Sequence, residues 1–173
     1  MEVEALAPFH PAIVHTPIAL IIVGAIFELT GRALDNEWWR KAAFAMLIVG
    51  VLGAFLAVSS GGPAGDHAEH QGVSEQAVDA HEEIAKISLW LGIAAVLTRA
   101  LAGRMGAARA AVAALALLLH LATATTVGIA GYRGGKLVFE HGAGVKVSGK
   151  LLAVPEGEKH GASDEPGKKP DKD

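Results

Sequence analysis

Two stretches of the chain, residues 42–65 and 110–132, contain no Lys, Arg, Asp or Glu. Crossing the hydrocarbon of a bilayer takes about 18 or more mostly apolar residues in a row, and both stretches meet that length. Two more stretches are apolar with few charges. Residues 11–29 contain only Glu28, near their end, and residues 84–101 are bracketed by Lys86 and Arg99. The chain has 173 residues, 51% of them hydrophobic and only 19% charged. A soluble enzyme has no reason to segregate its charge in this way. The pattern predicts an all-α polytopic membrane protein, a four-transmembrane-helix bundle embedded in the lipid bilayer. Its spans are expected at about 11–30, 42–60, 81–102 and 109–131.

Local signals refine the spans. Pro11 suits the first position of a helix, where its missing N–H costs nothing, which places His10 at the N-cap. Pro17 lies inside the first span and is expected to kink it, freeing the carbonyl of Ile13. Trp38 and Trp39 read as an interfacial aromatic pair. Ser74 is the expected N-cap of the third helix, with Glu75 in its first turn. Glu28 and Arg32 stand at i and i+4 and read as an interfacial ion pair. Residues 134–152 are Gly-rich and amphipathic and are expected to form a short hairpin. They close a membrane domain covering residues 1–152. Residues 153–173 are rich in Gly, Lys, Asp, Glu and Pro, a composition that cannot bury a core and predicts a disordered polar tail. The chain shows no convincing internal repeat.

Charge and composition exclude several function classes. A net charge of -3 does not fit a basic nucleic-acid binder. The absence of cysteine excludes disulfides, thiolate metal sites, iron–sulfur clusters and covalently attached c-type haem. There is no P-loop, no G-x-S-x-G and no H-E-x-x-H pattern, so nothing marks the chain as an enzyme on its own.

Orientation follows from the basic residues of the loops. The connections between spans 1 and 2 and between spans 3 and 4 carry Arg32, Arg40, Lys41, Arg99, Arg104 and Arg109. The first ten residues and residues 60–80 carry none. Cytoplasmic loops are the ones enriched in Lys and Arg, so both termini are expected outside a bacterial cytoplasmic membrane, on the periplasmic or extracellular side. Arg133, Lys136, Lys146 and Lys150, which follow span 4, weigh against that orientation. The opening Met1-Glu2-Val3-Glu4 has no basic n-region and is not an ordinary secretory signal.

The eight histidines then become the informative residues. His10, His15, His67, His70, His81, His141 and His160 fall at or beyond the outer face, and His120 lies near the middle of span 4. Polar groups inside membrane spans are costly and usually functional. His15 and His81 each lie one to two turns inside helices that start at the same face, so they are roughly depth-matched. A stripe of small residues, Ala85, Ser88 and Gly92, follows His81. It leaves room for a flat ligand or lets helices approach closely. His15 and His81 are therefore the expected axial pair of a haem b, with His120 as the alternate ligand. Bis-imidazole ligation gives a low-spin haem suited to electron transfer. A zinc or copper site drawing on His10, His15, His81 and His141 is the alternative. His67 and His70 form an H-x-x-H pair, a two-ligand fragment that carries little by itself.

The segment Phe9-His10-Pro11-Ala12-Ile13-Val14-His15-Thr16-Pro17, together with Ala80-His81-Glu82 and Phe139-Glu140-His141-Gly142, resembles the signatures of a bacterial four-helix membrane family, domain of unknown function 2231. That family typically has an aromatic residue where Thr16 stands. The family motif maps onto His10, His15, His81 and His141 but not His120. The family has no settled biochemical role. Related domains occur fused to cytochrome c-like modules, so the resemblance implies a redox role with a cytochrome-type partner. The contrasting reading is a non-redox membrane protein: a metal-binding or transport accessory, or an assembly subunit of a larger membrane complex or homo-oligomer.

Overall fold

A computed structural model describes residues 3–147 and 149–151. The described residues are all-helical apart from one short hairpin and the turns. A 3₁₀ helix, Val3–Phe9, leads into α1 (His10–Ile13), α2 (His15–Ala33), α3 (Glu37–His70), α4 (Glu75–Ala102) and α5 (Arg109–Phe139). Four helical stretches are long and apolar enough to cross a membrane: Ala5–Ala33, Glu37–His70, Glu75–Ala102 and Gly106–Phe139. The protein is a multi-pass membrane protein.

The large apolar side chains point outward. Trp38 is 64% exposed, Leu52 60%, Trp90 68% and Leu118 63%, as expected of a surface solvated by lipid. The interior sets a few aliphatic side chains, Ile21, Leu47 and Leu89, among many small residues. A Cβ placed on Gly50 would lie 2.6 Å from Ile21 Cγ1, and one on Gly92 would lie 2.8 Å from Val51 Cγ2. Those glycines let α2 press against α3, and α3 against α4. Ser88 and Gly92, read from the sequence as leaving either ligand room or close packing, are both buried, and at Gly92 close packing is what they serve. The hydroxyls of Thr30, Ser59, Ser88, Thr123 and Thr125 each donate to the carbonyl four residues back, so a polar group in hydrocarbon keeps a partner.

The helices overrun the expected spans at one end of the bundle. α3 continues through Pro63 to His70, and α4 starts at Glu75 with the Ser74 side chain accepting from the Ala77 N–H. The long polar connection expected after Ser60 shrinks to a turn around Gly72, whose φ is 91°. Charge limits a membrane span but not a helix, and a polar sequence outside the hydrocarbon continues the same hydrogen-bond ladder. α5 likewise runs through Gly134 and Gly135 to Phe139, and the hairpin expected over residues 134–152 is confined to Lys146–Val147 pairing with Lys150–Leu151. At the N-terminus His10 is not an N-cap. The 3₁₀ helix already supplies the preceding turn, Phe9 holds the cap position, and His10 is the first residue of α1. The backbone stays helical through Val14, whose φ is -62° and ψ -23°, with the Val14 N–H on the His10 carbonyl at 3.1 Å and the Ile18 N–H on the Val14 carbonyl at 3.3 Å; the missing Pro17 N–H takes only the i+4 donor from the Ile13 carbonyl. The polar tail expected over residues 153–173, with His160, lies outside the described residues.

Candidate functional site

The ends of α3 and α5 and the starts of α1 and α4 meet at one end of the bundle, and two histidines meet there. His10 enters from α1. Its Nδ1 lies 3.0 Å from the hydroxyl of Ser60 on α3. Ser60 is fully buried and its own hydroxyl donates to the Ala57 carbonyl at 3.1 Å, so its oxygen accepts from the His10 Nδ1–H. His81 enters from α4, and its Nδ1 lies 3.0 Å from the Ala130 carbonyl on α5. A carbonyl only accepts, so Nδ1 carries the hydrogen there too. In the neutral ring Nε2 then holds the lone pair. The two ring centroids are 6.4 Å apart with the planes at 85°.

Two glycines make the space for this pair. A Cβ on Gly61 would lie 3.3 Å from His10 Cε1, and one on Gly134 would lie 3.1 Å from His81 Cε1. Arg133 next to Gly134 donates to the Ala80 carbonyl beside His81, which fixes α5 against the start of α4. Glu82 binds Lys86 at 2.7 Å on the same helix.

The other histidines stand apart from this pair. The ring paired with His81 is that of His10, whereas His15, the partner expected from depth matching, is exposed. Five residues along a helix turn a side chain by about 140°, so His10 and His15 face different sides, and the His15 Nδ1 donates to the Pro11 carbonyl at 2.6 Å. His120 is 3% exposed and its Nε2 lies 3.2 Å from the Ile21 carbonyl. Its Cε1 packs toward Gly24, where a Cβ would lie at 3.5 Å. It ties α5 to α2. His141 follows α5, and its buried Nδ1 has no hydrogen-bond partner among the described residues. His67 and His70 are exposed on the last turn of α3. No three His, Asp or Glu side chains converge in a metal-ligating group among the described residues. Ser60, which carries no motif in the sequence, is the residue that sequence reasoning missed. Only the pairing of α1 with α3 reveals it.

The opposite end of the bundle holds a charged cluster. Glu28 on α2 is 1% exposed. Its Oε1 accepts from Arg32 Nε at 2.8 Å and from Arg99 of α4. Arg99 also donates to the Arg40 carbonyl at 2.9 Å, and its guanidinium lies 5.6 Å from the Phe44 ring centroid. Arg32 reaches the Ala113 carbonyl of α5 at 3.0 Å. The i,i+4 pair of Glu28 and Arg32 is present as read from the sequence, and Arg99 is the member that spacing along one helix does not reveal. Glu28 forms part of the wall of a 580 Å³ cavity between the ends of the four helices.

A family model described as predicted membrane protein (DUF2231) matches residues 6–147. No curated protein and no solved structure matches the chain.

Proposed function

The chain belongs to that DUF2231 family of predicted membrane proteins, and on that premise we propose that it holds one transition-metal centre between His10 and His81, most directly the iron of a haem b that passes electrons at the outer face of the membrane. The separation of the two rings carries this reading. Two imidazoles bound through Nε2 on opposite sides of one ion, each at about 2.0–2.1 Å, hold their centroids roughly 6 Å apart; the 6.4 Å between the rings is compatible with that, as it is with plain edge-to-face packing. The Nδ1 contacts support it. A metal-binding histidine donates its other ring N–H to a carbonyl or a polar side chain, which fixes the tautomer and aims the free nitrogen. Ser60 and the Ala130 carbonyl stand in those two places.

The donor set suits an ion that takes two protein ligands, as haem iron or copper does. It does not fit a structural zinc site, which takes four, because no third His, Asp or Glu joins the pair among the described residues. Bound haem would supply one-electron chemistry. The chain's own part is to hold two imidazoles at a set depth. The outer orientation is supported by the six basic residues gathered at the other end of the bundle.

The test is an absorption spectrum of the detergent-purified protein, oxidised and reduced, with metal analysis of the same sample. The proposal expects a bound centre that His10→Ala and His81→Ala each abolish and that His67→Ala and His70→Ala leave intact. A protein that carries no metal and takes up neither haem nor copper sinks it.

A second, non-redox reading is favoured by one observation. His81, Arg99 and His120 each bond a backbone carbonyl on a neighbouring helix, so these polar groups also serve to stitch the bundle. A subunit that helps assemble a larger membrane complex needs only that stitching.

A further inference from the structure

The cavity at the Arg-rich end does not enter the histidine proposal. It has 580 Å³ of space and five cationic lining side chains, Arg32, Arg40, Lys41, Arg99 and Arg109, against two carboxylates, Glu28 and Glu37. Three positive charges are therefore in excess around one concave space. The partners of the five differ. Arg32 and Arg99 are committed to Glu28. Lys41 pairs with Glu37 at 3.2 Å, and Arg40 reaches Asp35 only at 3.6 Å, where the Asp35 side chain is 94% exposed. Such exposed pairs contribute little and exchange readily for a better anion. Arg109 has no hydrogen bond or ion pair among the described residues. It stands at the first position of α5, whose N-cap, Ala108, provides no side-chain cap. The start of a 31-residue helix thus adds its partial positive charge to the same wall.

A second observation bears on the ligand. The Oε2 of Glu28 is buried with no hydrogen-bond partner, although Oε1 of the same carboxylate is doubly bonded. A buried acceptor in that state needs a donor. The wall therefore offers cationic groups around its rim, and behind them one acceptor on Glu28 that a small donor reaches only by displacing the side chains that cover it.

We propose that this cavity binds a phosphate group that also carries a hydroxyl donor, as the headgroup of an anionic glycerophospholipid does. The guanidinium groups of Arg40 and Arg109 and the Lys41 ammonium hold the phosphate, and the hydroxyl turns toward Glu28. A lipid source is favoured by position. The lining residues Glu37 and Arg40 flank Trp38 and Trp39 in the first turn of α3, and the rings of Phe27 and Trp39 stand 4.5 Å apart and those of the two tryptophans 5.3 Å apart. Trp38 is largely exposed, and aromatic rings of this kind mark the headgroup level. Basic pockets between membrane helices are recognised phosphate-headgroup sites. A soluble hydroxyl-bearing phosphate ester offers the same chemistry from the water side.

The full-length protein, in a neutral detergent, is titrated with short-chain phosphatidylglycerol, short-chain phosphatidylcholine or glycerol phosphate, and thermal unfolding is followed. Phosphatidylglycerol is expected to raise Tm and phosphatidylcholine to leave it unchanged. Arg40→Gln and Arg109→Gln are each expected to weaken the effect about tenfold, the loss of one charge-assisted hydrogen bond. Arg104→Gln, which removes the same charge from the same end but lies outside the lining, leaves it unchanged. A rise with glycerol phosphate equal to that with the lipid supports the site and assigns it a soluble ligand. No rise with either ligand, or equal losses for Arg104→Gln and Arg109→Gln, overturns the proposal.

Discussion

Glu28 on α2 and Arg99 on α4 share an ion pair in which the carboxylate is 1% exposed. In a low-dielectric interior each partner depends on the other, because an isolated buried charge is far costlier than a paired one. Arg99→Ala leaves Arg32 as the remaining partner of Glu28, so the loss is partial. We predict a cost of about 3 kcal/mol, at the low end of the range for breaking a buried pair. Glu28→Ala is expected to cost more, because it strands two guanidinium groups at once. The double variant Glu28→Ala/Arg99→Ala should cost less than the sum of the singles. Reversible unfolding of the three variants in detergent micelles measures all of these, and strict additivity contradicts the pairing.

The glycines of the interior make an equally sharp prediction. A methyl group on Gly92 meets Val51 at 2.8 Å, and both residues are buried, so neither side has room to give. Gly92→Ala is expected to destabilise by about 1–3 kcal/mol, the usual cost of overpacking. Adding Val51→Ala should recover part of that loss. Gly128 has nothing within 4 Å of its Cβ position, and Gly128→Ala is expected to be neutral or to stabilise by up to about 1 kcal/mol. Thermal unfolding of the three variants separates close packing from ordinary helix propensity.

His120 tests how the two ends of the bundle relate. Its Nε2 donates to the Ile21 carbonyl within the core, away from the His10 and His81 rings. Replacing it by Phe removes the bond while roughly keeping the ring volume. We predict a loss of about 1–3 kcal/mol in stability and no change in the absorption spectrum or metal content of the centre. A spectral shift in His120→Phe returns His120 to the ligand set.

The sequence makes the four spans readable because charge in hydrocarbon is so costly that two runs could only be membrane helices. Ser74 as a cap and the pairing of Glu28 with Arg32 are equally readable, since both are local rules acting within four residues. The helix ends are not. Residues 60–70 are polar, and nothing in a polar sequence forbids a helix that has already been nucleated from running on past the membrane. The choice between His10 and His15 is unreadable for a related reason. Depth along a regular helix favours His15, but the two histidines stand on different faces of that helix, and only its packing against α3, where His10 meets Ser60, decides that the His10 face turns inward. Arg99 and Ser60 are beyond reach because each acts on a partner from another helix.

Arg32, Arg40, Lys41, Arg99, Arg104 and Arg109 all lie at the end of the bundle where α2 meets α3 and α4 meets α5. The turn between α3 and α4, around Gly72, carries no Lys or Arg. Basic residues resist translocation, so the Arg-rich end should stay in the cytoplasm. Arg133, Lys136, Lys146 and Lys150 oppose this from the other end, but Arg133 is bonded to the Ala80 carbonyl and Lys136 is paired with Glu140 at 3.2 Å. Residues close to the span ends dominate the rule, and the six basic residues at the Arg-rich end outweigh the four at the other. We predict that a reporter fused after Asp173 is active only outside the cytoplasm, and that one inserted at Gly103, in the connection before α5, is active only inside. Activity in the reverse pattern would place the His10 and His81 rings at the cytoplasmic face and the Arg-lined cavity at the outer one.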